Sequence, residues 1–570
     1  MKKEQLSNLF ERFADLLEFN GDTPFKINAY RRAARTLAEL DGEIEPYWRE
    51  GRLGELAGIG KGLQEKIEQF LSQGRIRQYD ELLERAPKQL FELLSIPHFG
   101  PKTAALAHKE LGVQTLEDLN SALENGSLAA LPGMGAKKIE KIRQGLEFRR
   151  AAEKRISIGY ALPLAEEAVS YLREKAGDAV GRISPAGSVR RVRETVHDVD
   201  ILVETDRGLE VIGLFTKWPR VSRVLGAGHT KASVMIDDRF QIDLRAVKGE
   251  SWGAALQYFT GSAAHNVRIR ELARKKGDKV NEYGIFAGED RVGGEKESDV
   301  YSRIGMPWIA PELREDRGEI EAALQDRLPD LIEPGDIRAD LHVHSTWSDG
   351  QLPMEQMASH LRERGYAYMA FCDHSRAAYY ANGLDPERLR RQGEEIMSLN
   401  ERMAGFTVLA GVEVDILPDG KLDLDDETLA GLDFVIASIH SAFNSDPTAR
   451  TLAAMENRYV DVIAHPTGRL ISRRGGFEID MERVIEGAAR TGTALEINAY
   501  WDRLDLSDLN VKRAVESGVR LAINTDAHHP HHLPMMALGV GTARRGWASA
   551  RDVINTLPLE QLRKWQKRSR

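Results

Sequence analysis

The stretch ADLHVHSTWSDG, Ala339 to Gly350, places His342 and His344 two residues apart and Asp349 five residues after the second. On a β-strand, residues i and i+2 project to the same face, so both imidazoles address one cavity. ADLHVH is also the first of a series. YMAFCDH, TVLAGVEV, FVIASIH, VDVIAHP, ALEINAY and RLAINTDAH follow as short apolar strands, with amphipathic helices such as PMEQMASHLRERG and MERVIEGAARTG between them. This alternation predicts a parallel sheet, most simply closed into an α/β barrel whose functional side chains gather at the C-terminal ends of the strands. The required side chains stand there. His374 ends one strand, Glu413 lies in the next, His440 and His465 end two more, and NTDAH repeats the i, i+2 device with Asp526 and His528. A lone histidine at a strand end is usually structural; the same habit on so many strands reads as metal ligation. The mixture of imidazoles and carboxylates suits Zn²⁺, Mn²⁺ or Fe²⁺ better than Mg²⁺. Of HHPHHL only His528 is assigned as a ligand; the others read as loop histidines near a substrate.

The front half has a different texture. Length alone, 570 residues, calls for three or four domains. A hydrophobic content of 42% supports ordinary cores, and the single Cys372 excludes a disulfide framework and fits a reducing cytosol. MKKEQLSNLF turns charged again at Glu11 and Arg12, too soon for a signal peptide, and no apolar run approaches a membrane span. A net charge of −9 argues weakly against a general nucleic-acid binder, because basic surfaces such as Lys137 to Arg155 are local. That basic run also reads as a solvated helix.

Residues 1 to about 150 read as helices joined by glycine-containing turns. Three segments share one shape: LAGIGKGLQEKI, LLSIPHFGPKTAALA and LAALPGMGAKKIEKI. Each turn opens onto a helix whose first N–H groups are available to a phosphate. They resemble helix-hairpin-helix units, which grip the DNA backbone regardless of sequence through Gly58 and Gly60, Gly100 and Lys102, and Gly133 and Gly135. The middle copy departs, with His98 where the first glycine is expected. Farther on, AGSVRRVRETVHDVDILVE (Ala186 to Glu204) carries Asp198 and Asp200 on one strand face, and FQIDLRAV supplies Asp243. Hard carboxylate ligands suit Mg²⁺, and two such ions serve phosphoryl transfer. A D-x-D alone would read as a solvated strand edge; GSVRR upstream, with Gly187 and Ser188 able to approach phosphates and Arg190 and Arg191 able to neutralise them, decides otherwise.

GSVRR, HDVDIL, the later Asp243 and YFTGS together resemble the nucleotidyltransferase palm of family X DNA polymerases. The resemblance implies Asp198, Asp200 and Asp243 as the catalytic metal triad with Mg²⁺ or Mn²⁺, and Gly187, Ser188 and Arg191 at the incoming dNTP. It implies Tyr258, Phe259 and Gly261 around the sugar, Asn266 at the minor-groove edge of the nascent pair and Arg270 on the template side. His197 replaces a glycine found in vertebrate relatives, where only a backbone N–H is needed. FKINAYRRAARTL and GIGKGLQEKIEQFL resemble the small lyase domain of the same family, which implies Lys66 as a Schiff-base nucleophile helped by Lys26, Tyr30 and Lys61. The back half resembles the PHP (polymerase and histidinol phosphatase) domain, a distorted (β/α)7 barrel. That resemblance implies up to three Zn²⁺ or Mn²⁺ ions: one on His342, His344, Glu413 and Asp526, one on Asp349, His374 and His465, and one on His440 and His528, with Glu413 bridging.

The expectation is a multidomain chain: an all-α lyase-like region (1–84), a helix-hairpin-helix region (85–152), an α+β palm (153–250), a thumb (251–315), a linker (316–336) and the PHP barrel (337–570). Its expected work is gap filling in DNA repair on gapped or primer-template DNA, with a metal-dependent 3′–5′ exonuclease, AP endonuclease or 3′-phosphatase behind it. The alternatives are a small-molecule phosphatase and an inactive scaffold. It is expected to be a monomer in the cytoplasm, at the bacterial nucleoid, with no membrane partner.

Overall fold

Apolar residues at three- and four-residue spacing set the first region's helices. Leu6, Phe10, Phe13 and Leu17 line one face of Lys2–Phe19, and Ala33 and Leu37 line one face of Pro24–Glu39; all are buried where these two helices pack. Pro24 opens the second helix, where its missing N–H costs nothing. The computed structural model describes residues 2–40, 44–56, 58–94, 96, 98–152 and 155–569. Ala57, Ser95 and Pro97, inside two of the expected DNA-gripping turns, and residues 153 and 154 of the basic run lie outside the described residues.

The chain divides into two compact units, Met1–Glu153 with Ser472–Arg474, and Lys154–Ile471 with Gly475–Arg570. In the first unit the three expected turns are built alike. Gly58, His98 and Gly133 adopt φ values of 75°, 67° and 76°. The residue after each donates its N–H three residues back, from Ile59 to Leu56, Phe99 to Ile96 and Met134 to Leu131. Gly60, Gly100 and Gly135 then lead into Lys61–Gln73, Pro101–Leu111 and Ala136–Ala152. His98 therefore keeps the turn despite its side chain, at the cost of a left-handed backbone that glycine adopts without strain.

The second unit holds three sheets that matter for function. A five-stranded mixed sheet runs in the order Ile183–Pro185, Val199–Glu204, Phe240–Val247, Lys231–Ile236, Val221–Ala227, with the second and third parallel. Ile158–Ala176 and Gly208–Phe215 cover it, burying Leu164, Ala168, Leu172, Ile212 and Phe215. A three-stranded antiparallel sheet, Asp278–Asn281, Gly284–Ala287 and Asp290–Gly293, lies in the segment expected to be the thumb. The segment expected to link thumb and barrel forms a helix, Glu319–Leu324, whose Ile320 and Ala323 pack with Val300, Tyr301 and Ile304.

Seven parallel strands follow in strict chain order: Ala339–Val343, Tyr368–Phe371, Thr407–Asp415, Phe434–Ser438, Val462–Ile463, Ala494–Asn498 and Leu521–Asn524. The first and last meet at the bridge between Val343 and Ala527 and at the bond from His344 N–H to the Ala527 carbonyl (2.9 Å), so the barrel is nearly closed. Every residue of Tyr368–Phe371, Phe434–Ser438 and Leu521–Asn524 is buried, as strands covered on both faces require. Among the described residues no helix is long and apolar enough to cross a membrane.

Candidate active site and metal centre

In the mixed sheet, Asp200 and Asp243 are direct partners across the parallel pair of strands, and Asp198 stands one residue before the first of them. Three carboxylates at one sheet edge repel one another. Burial, then Asp198 and Asp243, push the Asp200 carboxyl up to about 7. Burial and Asp243 raise Asp198 as well. Asp243 goes the other way: burial is outweighed by Lys231 (Nζ to Oδ2, 2.5 Å) and Gln241 (Nε2 to Oδ1, 2.8 Å), which hold it ionised. A site that disfavours its own negative charge is a site that gains from a cation.

The GSVRR turn sits against this edge. Gly187 has φ +58°, and a Cβ there would lie 2.3 Å from Asp200 Oδ2, so only glycine permits the approach. The Ala186 N–H donates to the Asp200 carbonyl (2.8 Å). Ser188 is half-buried on the short helix Gly187–Arg190. The two arginines differ from a pair poised on phosphate. Arg190 donates to both oxygens of Glu297 (2.6 and 2.9 Å), which also pairs with the buried Arg314, so its charge is neutralised inside the protein. Arg191 donates to Glu315 (3.0 Å) and to the Thr260 carbonyl, which fixes it beside YFTGS. There Gly261 is close enough that a Cβ would come within 3.0 Å of Arg191 Nη1. Phe259 lies under the Arg245 guanidinium (4.3 Å), 5.2 Å from Tyr258 between ring centres. Asn266 links this helix to the next, donating to the Tyr258 carbonyl (2.7 Å) and accepting from Gln257 (2.8 Å); its own carbonyl accepts from Arg270 (3.2 Å). In the first unit Lys66 is half-buried on Lys61–Gln73, Tyr30 is buried against Phe10 and Phe13, Lys26 is ion-paired with Asp22 (2.6 Å), and Lys61 and Lys102 are exposed.

At the barrel's C-terminal face all nine expected ligands converge in one chain of contacts. Glu413 is its centre, with His374 Nδ1 at 2.8 Å, His465 Nε2 at 3.0 Å and His440 Nε2 at 3.2 Å. Asp526 lies 3.1 Å from His344, and Asp349 lies 3.3 Å from His528 and 3.6 Å from His374. Burial disfavours charged imidazoles, yet Glu413 pushes His440 up to about 10 and Asp349 pushes His528 up to about 9. At His344 burial and the neighbouring His528 win, and its ring is held neutral, down to about 3. Among the described residues, the buried ring nitrogens of His342 (Nε2), His344 (Nδ1) and His465 (Nδ1) have no hydrogen-bond partner. Such orphaned donors fit metal ions.

Among the described residues, three groups bring their ligand atoms within 4.8 Å of one another: His344, Asp349, His374 and His528; His342, His344 and Asp526; and His374, Glu413 and His440. This grouping differs from the expected one. His440 is directed at Glu413 and Asp415 (3.4 Å), whereas His528 is directed at Asp349, so each ring belongs to the carboxylate nearest it.

Several participants escaped the sequence reading. Glu496 binds His342 Nδ1 (2.8 Å) and the His465 N–H (2.8 Å), orienting two ligands at once. A buried glutamate in the apolar strand ALEIN was the available signal. Lys231 had none, being one lysine among many, at the start of a strand paired on both sides. Arg503 Nε lies 3.8 Å from Asp526. The Tyr380 phenol is pushed up by burial, Glu413, Asp415 and Asp349 and pulled back by Arg503, and its ring lies 6.5 Å from that of His374.

Comparison with known proteins agrees with this geometry. Residues 1–76 match the Helix-hairpin-helix domain family, 91–147 the SAM-like Helix-hairpin-helix tandem, 255–315 the DNA polymerase beta thumb and 340–497 the PHP domain. The DNA polymerase/3′-5′ exonuclease PolX of Bacillus subtilis (strain 168) is 41% identical over an alignment of 579 positions that covers the whole of both chains. The chain belongs to the family X DNA polymerases that carry a C-terminal PHP domain. DNA polymerase lambda of Rattus norvegicus is 26% identical over 349 residues, 54% of this chain and 56% of its own. A probable phosphatase of Thermoanaerobacter sp. (strain X514) is 32% identical over 195 residues, 30% of this chain and 77% of its own. A family X chain with two such acid-rich centres uses divalent metal ions, DNA and nucleotides.

Proposed function

We propose that this chain fills gaps during DNA repair and removes 3′-terminal nucleotides at a second, separate centre. The observation that carries the reading is the register of Asp200 on Asp243 in one sheet together with the clustering of eight histidines and carboxylates in another, joined by His465 through Glu413. Divalent ions, Mg²⁺ or Mn²⁺ held by the palm carboxylates and up to three Zn²⁺ or Mn²⁺ held by the barrel ligands, would when bound supply charge neutralisation at the reacting phosphate and activation of the hydrolytic nucleophile. The residues do the rest. Asp198, Asp200 and Asp243 hold the palm ions, and Lys231 keeps Asp243 ionised before they arrive. Gly187 and Ser188 bring backbone N–H groups toward the triphosphate, with Arg191 fixed behind them. Tyr258, Phe259 and Gly261 crowd the sugar's 2′ side, Asn266 reads the minor-groove edge of the new pair, and Arg270 contacts the template.

In the barrel, His342, His344, Asp349, His374, Glu413, His440, His465, Asp526 and His528 are the ligands, oriented from behind by Glu496. Gly58, Gly60, Gly100, Lys102, Gly133 and Gly135 present the N-terminal turns to the DNA backbone. Lys66 is the candidate lyase nucleophile. The domains run as the motifs suggest, 1–84, 85–152, 153–250, 251–315 and 337–570, with 316–336 joining the last two. On this reading the protein acts as a monomer on gapped or primer-template DNA in the bacterial cytoplasm. Tethering keeps each centre at high local concentration near the other's product.

The test is a pair of substitutions read in two assays. Asp243→Ala should abolish primer extension and leave 3′-end degradation intact, and His344→Ala should do the reverse. Equal loss of both activities in both variants would refute two independent centres. The likeness to probable phosphatases supports a second reading, phosphomonoester hydrolysis in the barrel. It predicts that the barrel cleaves free phosphomonoesters and ignores primer 3′ ends.

A further inference from the structure

Two buried amides meet beside YFTGS. Gln257 is 2% exposed on the helix Trp252–Thr260, and Asn266 is 9% exposed on Ala263–Lys275. The oxygen and nitrogen of an amide are told apart by their partners, and here the partners leave one solution. The Tyr258 carbonyl can only accept, so the Asn266 atom 2.7 Å from it is Nδ2. Oδ1 then faces Gln257, whose Nε2 donates to it (2.8 Å). Turned over, the Asn266 amide would set oxygen against the Tyr258 carbonyl and N–H against N–H at Gln257. Buried groups opposed in that way cost more than a lost hydrogen bond.

A row of further groups holds Gln257 in turn. At its far end the buried Glu319 accepts the Asp316 and Arg317 N–H groups (2.9 and 2.7 Å) and faces His265 Nδ1 (2.7 Å). Burial alone would raise its carboxyl, but His265 and the Arg317 N–H outweigh it and keep Glu319 ionised. An ionised carboxylate only accepts. Burial lowers the His265 pKa and keeps the ring neutral. Its one proton therefore sits on Nδ1, and Nε2 accepts from the Tyr301 hydroxyl (3.1 Å). With that proton committed, the Tyr301 oxygen can only accept from Gln257. Burial is the larger effect and pushes the phenol up, and Gln257 pulls it back as a donor does.

Asn266 Nδ2 carries two hydrogens, and the Tyr258 carbonyl takes one of them. We infer that Gln257 is a positioning residue that fixes Asn266 as a pure hydrogen-bond donor toward the minor-groove edge of the nascent base pair. Gln257 acts through Asn266, so the inference rests on the reading of that residue given above. A fixed donor suits a check that is indifferent to sequence. Purine N3 and pyrimidine O2 are acceptors in every Watson–Crick pair, so one N–H serves all four incoming nucleotides. An amide free to turn would also present its oxygen, which repels the same atoms.

The experiment follows nucleotide insertion by the full-length chain opposite thymine in gapped DNA. It compares dATP with 3-deaza-dATP, which keeps the Watson–Crick edge and carries C–H in place of N3. The wild-type chain should favour dATP by roughly 5- to 100-fold in kcat/KM, the range for leaving a buried donor unpaired. Gln257→Met keeps the length of the side chain and removes the donor. It should slow insertion of dATP and leave the analogue almost unaffected, so that the ratio falls toward unity. Asn266→Ala should lack the preference too, and adding Gln257→Met to it should change the ratio no further, because the two residues act as one unit. A wild-type ratio retained in Gln257→Met overturns the inference, including the case in which both nucleotides are slowed alike, as a purely structural role would have it. A wild-type chain that inserts both nucleotides equally well fails the reading of Asn266 itself, a result distinct from either of these.

Discussion

A methyl group at position 187 separates two accounts of the palm. If GSVRR were only a surface turn, Gly187→Ala would cost the roughly 1–2 kcal/mol of an alanine forced to positive φ and little else. In the structure the new Cβ would also meet Asp200 Oδ2 at 2.3 Å, so the turn or the carboxylate must move. Primer extension by Gly187→Ala is therefore expected to fall at least 100-fold while 3′-end degradation stays within about twofold, measured on the same preparation. Near-normal extension would show that the turn does not need this approach. At this scale the acids and imidazoles were readable from sequence because their i, i+2 spacing and strand-end positions are rules of the backbone. The partners that tune them were not. Lys231 reaches Asp243 across an antiparallel register, and Glu496 reaches His342 from a strand more than 150 residues away; no local pattern encodes either contact.

Between elements, the barrel's N-terminal face is closed by the last residues of the chain. Gln566 Nε2 donates to the Asp433 carbonyl (2.7 Å), and Arg568 pairs with Asp461 (3.0 Å), just before the strand Val462–Ile463. Asp461 is fully buried, and burial pushes it up to about 6 even though Arg568 pulls it down. Between about pH 4 and pH 6 the folded chain keeps a proton there that the unfolded chain has released, so this residue's contribution to stability falls as pH rises through that window. Asp461→Asn cannot titrate. Relative to wild type it should gain up to roughly 3 kcal/mol between pH 4 and pH 7.5, read as the difference in urea unfolding midpoints at the two pH values. A difference independent of pH would mean that Asp461 is ionised throughout. The strands were legible from their apolar runs, whereas this closure was not, because QKRSR has the composition of a solvated tail. The segment 316–336 was legible as a charged, Pro-bounded stretch able to form a helix of its own, but its packing was not: Glu319 is buried against His265 (2.7 Å), and Ile320 and Ala323 join Val300, Tyr301 and Ile304 in one core.

Across the second unit, palm and barrel meet through charge that sequence could not reveal. Arg545, almost fully buried in the barrel helix Met536–Arg545, donates to the Arg191 carbonyl (2.7 Å) and to Glu315 (3.0 Å), and is itself held by Asp508 (2.6 Å). Glu315 in turn receives Arg191 (3.0 Å) and Arg193 (3.2 Å). Gly541 on the same helix passes Val192 so closely that a Cβ would sit 2.5 Å away. The barrel helix thus braces the turn that carries the candidate triphosphate contact, holding it from behind through Arg545 and Gly541. Arg545→Ala leaves Glu315 buried with fewer cations and removes a donor from the Arg191 carbonyl, a change of the kind that costs several kcal/mol when local structure cannot relax. Relaxation here means displacement of Arg191, so the expected outcome is a 10-fold or greater rise in KM for dNTP with a smaller change in kcat. Arg545→Lys should restore part of the loss, because a single ammonium can still reach Glu315 but cannot bridge to Asp508 as the guanidinium does. The barrel's own degradation of 3′ ends, measured alongside, should be unchanged, since Arg545 touches none of its ligands. An unaltered KM for dNTP in Arg545→Ala would show that the palm orders its turn without help from the barrel.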